Sequence, residues 1–112
     1  MKKKYEFKSK LFCYGAEMLE DIGQLKGAWY FIQVPKTITV QIRKQFLMIS
    51  RPFGSLGIEA SIIQGESTIT WYSSLFYDSK LGAYLLPVKS VIRKKAGAQH
   101  GDSLVISLTV LV

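Results

Sequence analysis

Two stretches of this chain open on Gly-Ala-aromatic, run on through apolar residues, and close on Pro with a Lys beside or near it. They are "GAWYFIQVPK" from Gly27 and "GAYLLPVK" from Gly82. Each leads into helical spacing that ends in basic residues. After the first comes "TITVQIRKQF", with Ile38, Ile42 and Phe46 four apart and Arg43-Lys44 late in the run. After the second comes "SVIRKKAG", where Ile92-Arg93-Lys94 matches Ile42-Arg43-Lys44. Pro and Arg are eight residues apart in the first copy and six in the second. A strand–Pro–helix–strand unit cannot bury its apolar face alone, so two of them predict halves that close on each other. These halves span about residues 27–63 and 82–112. Closure into a barrel leaves few strand edges exposed.

The other segments fit a mainly β domain. "YEFKSKLF" alternates, with Tyr5, Phe7, Ser9 and Leu11 on one side and Glu6, Lys8 and Lys10 on the other. That is the period of a half-buried strand. "LGIEASIIQGESTITWYSSLFY" reads as a hairpin turning at Gln64-Gly65. In "SLVISLTVLV", Leu104, Ile106, Leu108 and Val110 share one face. Thr37 or Thr39 is placed to cap the first helix, Val88 and Val91 to form an apolar i, i+3 pair in the second, and Gly97 to end it. Residues 13–26 break the β pattern and are expected to form a loop excursion, and residues 1–4 a basic tail. The expectation is one domain over residues 1–112: a small closed or split β-barrel of about six strands with two short helices, internally pseudo-duplicated.

Composition excludes several classes. With 48% hydrophobic residues the chain is too apolar for disorder. No apolar run approaches the roughly 20 residues of a membrane helix. No apolar core or small-residue cleavage site follows the basic "MKKKYEFKSK", so a cytoplasmic protein without a membrane partner is expected. Cys13 is the sole cysteine, which excludes an intramolecular disulfide and a cysteine-based metal cluster. The net charge is +7, yet the first ten residues, with five Lys and one Glu, supply +4 of it. The basicity therefore belongs to an N-terminal segment, which attracts nucleic acid or simply keeps the chain soluble.

The segment "WYSSLFYDSKLGAYLLPVKSVIRKKAGAQHGDSLVISLTV", together with "GAWYFIQVP", closely resembles a bacterial domain-of-unknown-function family, nineteen-oh-five. The motifs are a Ser-Leu-Phe step, a Leu-Pro-Val-Lys step, an Arg at the helix, and a Gly-Asp step before the last strand. They span about residues 5–111. The resemblance implies a small double-split β-barrel, similar in kind to dimeric bacterial transition-state regulators and antitoxins that bind DNA. Here both halves would lie in one chain. It implies no established activity. The chain departs from the pattern at Tyr77, where the family usually has Pro, and in the 13–26 excursion, which is longer. Some relatives carry a second domain associated with bacteriocin protection, and none is expected here.

For chemistry, the sole His100 lies two residues from Asp102 in "AQHGD". A His–Asp pair can orient a general base, whereas Gly-Asp before a strand makes a turn whose carboxylate accepts backbone N–H groups. No metal-ligand set and no Gly-rich phosphate loop stands out, so no cofactor is expected. Glu59 and Glu66 flank the hairpin turn. Binding has more material. Lys89 and Arg93 are i, i+4 on the second helix, and Arg43 holds the matching place on the first. If the halves are pseudo-symmetric, Arg43 and Arg93 line a common surface and grip an anion with forked hydrogen bonds. Alternatively, they pair with helix dipoles or with Asp102. Trp71, Tyr84 and Ser74 would add apolar and hydroxyl contacts. The expected function is a non-catalytic binding module for an anionic small ligand or partner, using Arg93, Lys89, Arg43, Trp71, Tyr84 and Ser74. DNA binding, from basic charge and fold analogy, is the alternative. An enzyme built on the His100–Asp102 pair is the third. Monomer and homodimer both stay open, because a duplicated barrel either replaces an ancestral dimer or pairs through an edge.

Overall fold

The computed structural model describes residues 3–14, 29–46 and 55–111. The N-terminal alternation becomes strand β1 (Lys4–Tyr14), which buries Tyr5, Phe7, Leu11 and Cys13 and exposes Lys4, Glu6, Lys8 and Lys10. β2 (Trp29–Gln33) leads into helix α1 (Lys36–Phe46). β3 (Leu56–Gln64) and β4 (Ser67–Asp78) form the hairpin, with Gln64 opposite Ser67 across the Gly65-Glu66 turn. β5 (Ala83–Pro87), helix α2 (Ser90–Ala96) and β6 (Ser103–Val110) complete the order. β1 thus takes in Lys4, assigned above to the tail, and Cys13, assigned to the excursion. Residues 15–26 of that excursion lie outside the described residues.

The six strands close into a barrel in the order β1-β2-β5-β4-β3-β6, with every ladder antiparallel. Two long strands make the corners. β1 pairs with β6 through Lys4–Lys10, then with β2 through Leu11–Tyr14. β4 pairs with β3 through Ser67–Leu75, then with β5 from Phe76. Inward residues from all six strands, among them Leu11, Ile32, Ile58, Leu75, Leu86 and Ile106, are fully buried. Because each corner strand changes partner along its length, Lys4–Lys10 of β1 pair with β6 alone and Ser67–Leu75 of β4 pair with β3 alone, so the closed order is a barrel split at its two corners.

Exchanging β1 with β4, β2 with β5 and β3 with β6 leaves every neighbour relation unchanged. The registers agree at residue level. Cys13 faces Tyr30 as Tyr77 faces Tyr84, and Glu6 faces Ser107 as Thr70 faces Ser61. The β2–β5 ladder maps onto itself about the Ile32–Leu86 pair. Its two ends carry matching hydrogen bonds, from Val34 N–H to the Tyr84 carbonyl at 2.9 Å and from Val88 N–H to the Tyr30 carbonyl at 2.8 Å. Under this relation Pro87 corresponds to Gln33, so the two prolines that mark the copies in the sequence are not equivalent positions.

The helices close over the barrel by their apolar positions. α1 buries Ile42 and Phe46 and packs Ile38 against the same core, as the spacing of four requires. Neither threonine caps it, because the helix begins at Lys36 and both lie inside. Thr39 is buried, donating to the Val34 carbonyl at 3.3 Å and accepting the Tyr84 N–H at 3.2 Å. Its hydroxyl therefore fastens the helix to β5. In α2 the buried residue is Ile92, while Val91 points to solvent and Val88 precedes the helix. α2 ends at Gly97, left-handed at φ 62°, where Gly97 and Ala98 donate to the Lys94 and Arg93 carbonyls. Glu59 lies opposite Tyr72, well back from the hairpin turn and from Glu66.

Truncating either member of the central pair, Ile32→Ala or Leu86→Ala, is expected to lower the unfolding free energy by about 2–5 kcal/mol in denaturant titrations. Val91→Ala should stay within about 0.5 kcal/mol of the parent.

Candidate functional site

The last turns of α1 bring Arg43 against the second half of the barrel. Its guanidinium carbon lies 3.8 Å from the centre of the Tyr77 ring. Tyr77 in turn meets Tyr84 edge-on, with ring centres 5.7 Å apart. A cation over an aromatic face at partial burial is worth roughly 0.5–2 kcal/mol and fixes the plane of the guanidinium. Burial pushes the Tyr84 phenol above its ordinary value of 10, while the positive charge of Arg43 and a hydrogen bond from it pull the other way. The Tyr84 hydroxyl consequently stays protonated at neutral pH.

Beside this stack runs a groove of about 280 Å³ lined by Thr39, Val40, Arg43, Lys44, Tyr77 and Gly82. α1 supplies one wall through residues one and four apart, and the β4–β5 turn supplies the other. Asp78 organises that turn, its carboxylate accepting N–H groups from Lys80 at 2.9 Å and Leu81 at 3.0 Å, and its carbonyl accepting Gly82 N–H. Gly82 has φ +65°, a conformation L residues seldom adopt, and a Cβ there would meet nothing within 4 Å. The turn thus selects glycine by backbone geometry. A second groove of about 340 Å³, lined by Ser9, Lys10, Phe12, Gln33 and Pro35, lies where β1 changes partner. It holds one exposed lysine at its edge and no cation seated on a ring.

The residues singled out in the sequence are dispersed. Arg93 is half-buried on α2 with its guanidinium 3.6 Å from the Tyr30 ring centre, so it does not share the Arg43 groove. Tyr30 is the counterpart of Tyr84 in the exchange of halves, whereas Arg43 sits on Tyr77, the counterpart of Cys13, so the two arginine–ring contacts are not equivalent. Lys89 is exposed at the residue preceding α2, where its carbonyl accepts the Ile92 and Arg93 N–H groups. Trp71 and Tyr84 belong to the core, at 7% and 1% exposure. Ser74 is half-buried on β4 opposite Gly57. Tyr77, Lys44, Val40 and Gly82 were not among the sequence candidates. The one signal toward them was Tyr77, the position that departs from the resembled Pro pattern.

His100 and Asp102 do not pair with each other. His100 Nδ1 accepts the Cys13 N–H at 2.9 Å, and Asp102 Oδ2 accepts the Gln99 N–H at 2.8 Å. Backbone bonds from Gly101 to the Leu11 carbonyl and from Leu11 to the Asp102 carbonyl complete the stitching of this turn to β1. Among the described residues no group of three or more His, Cys, Asp or Glu is placed to hold a metal ion. No described helix is long and apolar enough to cross a membrane.

Residues 7–108 match the model of a family described as "Domain of unknown function (DUF1905)". The match covers most of the chain, and the chain belongs to that family. No curated protein matches it.

The raised Tyr84 phenol sets a pH dependence with a definite sign. Unfolded tyrosine ionises near pH 10 and the folded residue higher, so its contribution to stability is intact below pH 10 and is lost as pH rises through the folded value. In an alkaline titration followed by tyrosinate absorbance, Tyr84→Phe should remove one late component, while that of Tyr5, also raised by burial, remains. Thr39→Val should cost roughly 1–3 kcal/mol by leaving the Tyr84 N–H without its acceptor.

Proposed function

We propose that this member of the family is a non-catalytic binding module whose groove at the end of α1 holds a small anionic ligand. One observation carries the proposal: Arg43 is held flat on Tyr77 at the wall of a groove, with Lys44 exposed beside it. Among the described residues no carboxylate forms an ion pair with Arg43, and Asp78, in the adjoining turn, gives one carboxylate oxygen to two backbone N–H groups. A guanidinium already oriented by a ring loses little freedom when it pairs with carboxylate or phosphate. The groove, about 280 Å³, sits at the small end of ligand sites and suits a compact anion with a short apolar part against Val40.

The matching registers of the two halves support descent from a duplicated unit. In that reading the first helix gained one turn, since Val34 and Arg43 are nine residues apart whereas Val88 and Arg93 are five. The extra turn supplies Thr39 and Val40 to the groove, so the two copies differ where the ligand would sit.

A second reading, nucleic-acid binding, rests on the outward row Lys4, Lys8 and Lys10 on β1, with Tyr72 exposed on the outer face of the same sheet. The two readings respond differently to salt, because contacts to phosphate backbones release counterions and weaken steeply as salt rises. By calorimetry against a panel of small carboxylates and phosphates, Arg43→Gln should weaken the bound anion by about tenfold or more. Lys8→Gln with Lys10→Gln should leave that affinity within about twofold. An unchanged affinity in Arg43→Gln, or binding only to nucleic acid and only at low salt, would count against the groove.

A further inference from the structure

The first strand is open along one side. Among the described residues Lys4–Lys10 pair with β6 alone, and β2 joins β1 only from Leu11 onward. Leu11 N–H donates to the Asp102 carbonyl on the β6 side. Bonding direction alternates along an antiparallel strand, so the backbone groups of Phe7 and Ser9 face β6. Those of Glu6 and Lys8, with the Lys10 N–H, face the open side. A continued ladder would offer the Gln33 carbonyl to Lys10 N–H, but that carbonyl accepts the Ser9 hydroxyl at 2.8 Å instead. The strands splay there, and the groove of about 340 Å³ lined by Ser9, Lys10, Phe12, Gln33 and Pro35 lies at the point of separation. α1 meets this strand at the far end of the open stretch, where the Tyr5 hydroxyl donates to Gln45 at 3.2 Å.

A row of open backbone donors and acceptors is a template for another strand, and the side chains along it select which strand. Lys4, Glu6, Lys8 and Lys10 are all exposed on the outer face, three cations to one acid. Under the exchange of halves Lys4, Lys8 and Lys10 correspond to Thr68, Tyr72 and Ser74, so the lysine row belongs to this edge alone. A second copy adding its own β1 across the full stretch would leave lysines opposite lysines, which opposed strand neighbours disfavour. A strand with acids at alternate positions sets them opposite Lys10 and Lys8 instead. At the groove the outer face turns apolar, since Phe12 is half-buried with its ring centre 6.1 Å from that of Phe31.

We propose that this edge accepts an extended acidic peptide as a further antiparallel strand. An apolar residue of the peptide packs on Phe12 in the groove, and acids two and four residues farther along meet Lys10 and Lys8. Backbone hydrogen bonds to Glu6, Lys8 and Lys10 supply affinity, and the alternating side chains supply the choice of partner. The site shares no residue with the groove beside Arg43, so it does not rest on that groove holding a ligand.

The test uses the full-length chain and a capped octapeptide with one leucine, glutamates two and four residues after it, and threonine elsewhere. Amide hydrogen exchange is followed by magnetic resonance as the peptide is added. In the free protein the Glu6, Lys8 and Lys10 amides should exchange faster than those of Phe7 and Ser9, and the peptide should slow them saturably. Methylating alternate backbone nitrogens of the peptide, those that face β1, should abolish binding with the charge unchanged. Glutamine in place of both glutamates should weaken binding severalfold. Arg43→Gln protein should bind the peptide as the wild type does. Three results would overturn the proposal. One is protection of the Glu6, Lys8 and Lys10 amides before any peptide is added, which would mean that the edge is already covered. Another is no saturable slowing, or equal binding of the methylated peptide. The third is an oligothymidylate that perturbs these amides where the peptide does not, which would assign the lysine row to nucleic acid.

Discussion

The β2–β5 ladder is the contact on which the rest of the molecule depends. It is short, yet it is the seam between two halves and it pairs with itself in register about Ile32 and Leu86. Both helices leave the barrel from its ends, α1 after Val34 and α2 after Val88, and those two residues donate to the carbonyls of Tyr84 and Tyr30. The same two tyrosines then carry or adjoin the arginines of the opposite half. Fixing this ladder therefore fixes where each helix starts and which ring its arginine meets. A slip of one residue would turn Ile32 and Leu86 outward and send both arginines to the wrong neighbours.

The two arginines are placed by aromatic rings more than by ion pairs among the described residues. Both guanidinium-bearing residues stay half-exposed, and a ring face returns about 0.5–2 kcal/mol to a partly buried cation. The barrel already has a continuous core running through all six strands and both helices. Among the described residues each helix seats its arginine on an aromatic face with no acid in an ion pair with it, and that is the arrangement from which the groove proposal for Arg43 starts.

Much of the fold was legible because it is local. Alternation placed Tyr5, Phe7 and Leu11 inside β1, and Leu104, Ile106 and Leu108 inside β6. Spacing of four placed Ile42 and Phe46 under α1, and Gly97 ended α2 through its left-handed backbone. What escaped is long-range. Thr39 reads as a cap in sequence, whereas its hydroxyl, inside the helix, joins the Val34 carbonyl just past β2 to the Tyr84 N–H on β5. Val91 matched an i, i+3 pattern, but the helix begins two residues after Val88, which turns Ile92 inward instead. The site was half legible. Arg43 and Arg93 stood out by charge, but which ring each meets depends on strand order, which no window of sequence contains. For the same reason Trp71 and Tyr84 looked like ligand contacts and are core, and His100 finds its partner at Cys13, on the far end of the chain.

The most direct measurement of the central claim is anomalous diffraction from crystals soaked in selenate, an oxyanion that marks its own position. The account predicts a selenium peak within hydrogen-bonding reach of the Arg43 guanidinium in the groove beside Lys44 and Tyr77. Peaks confined to the β1 lysines, with the groove filled by water alone, would contradict it.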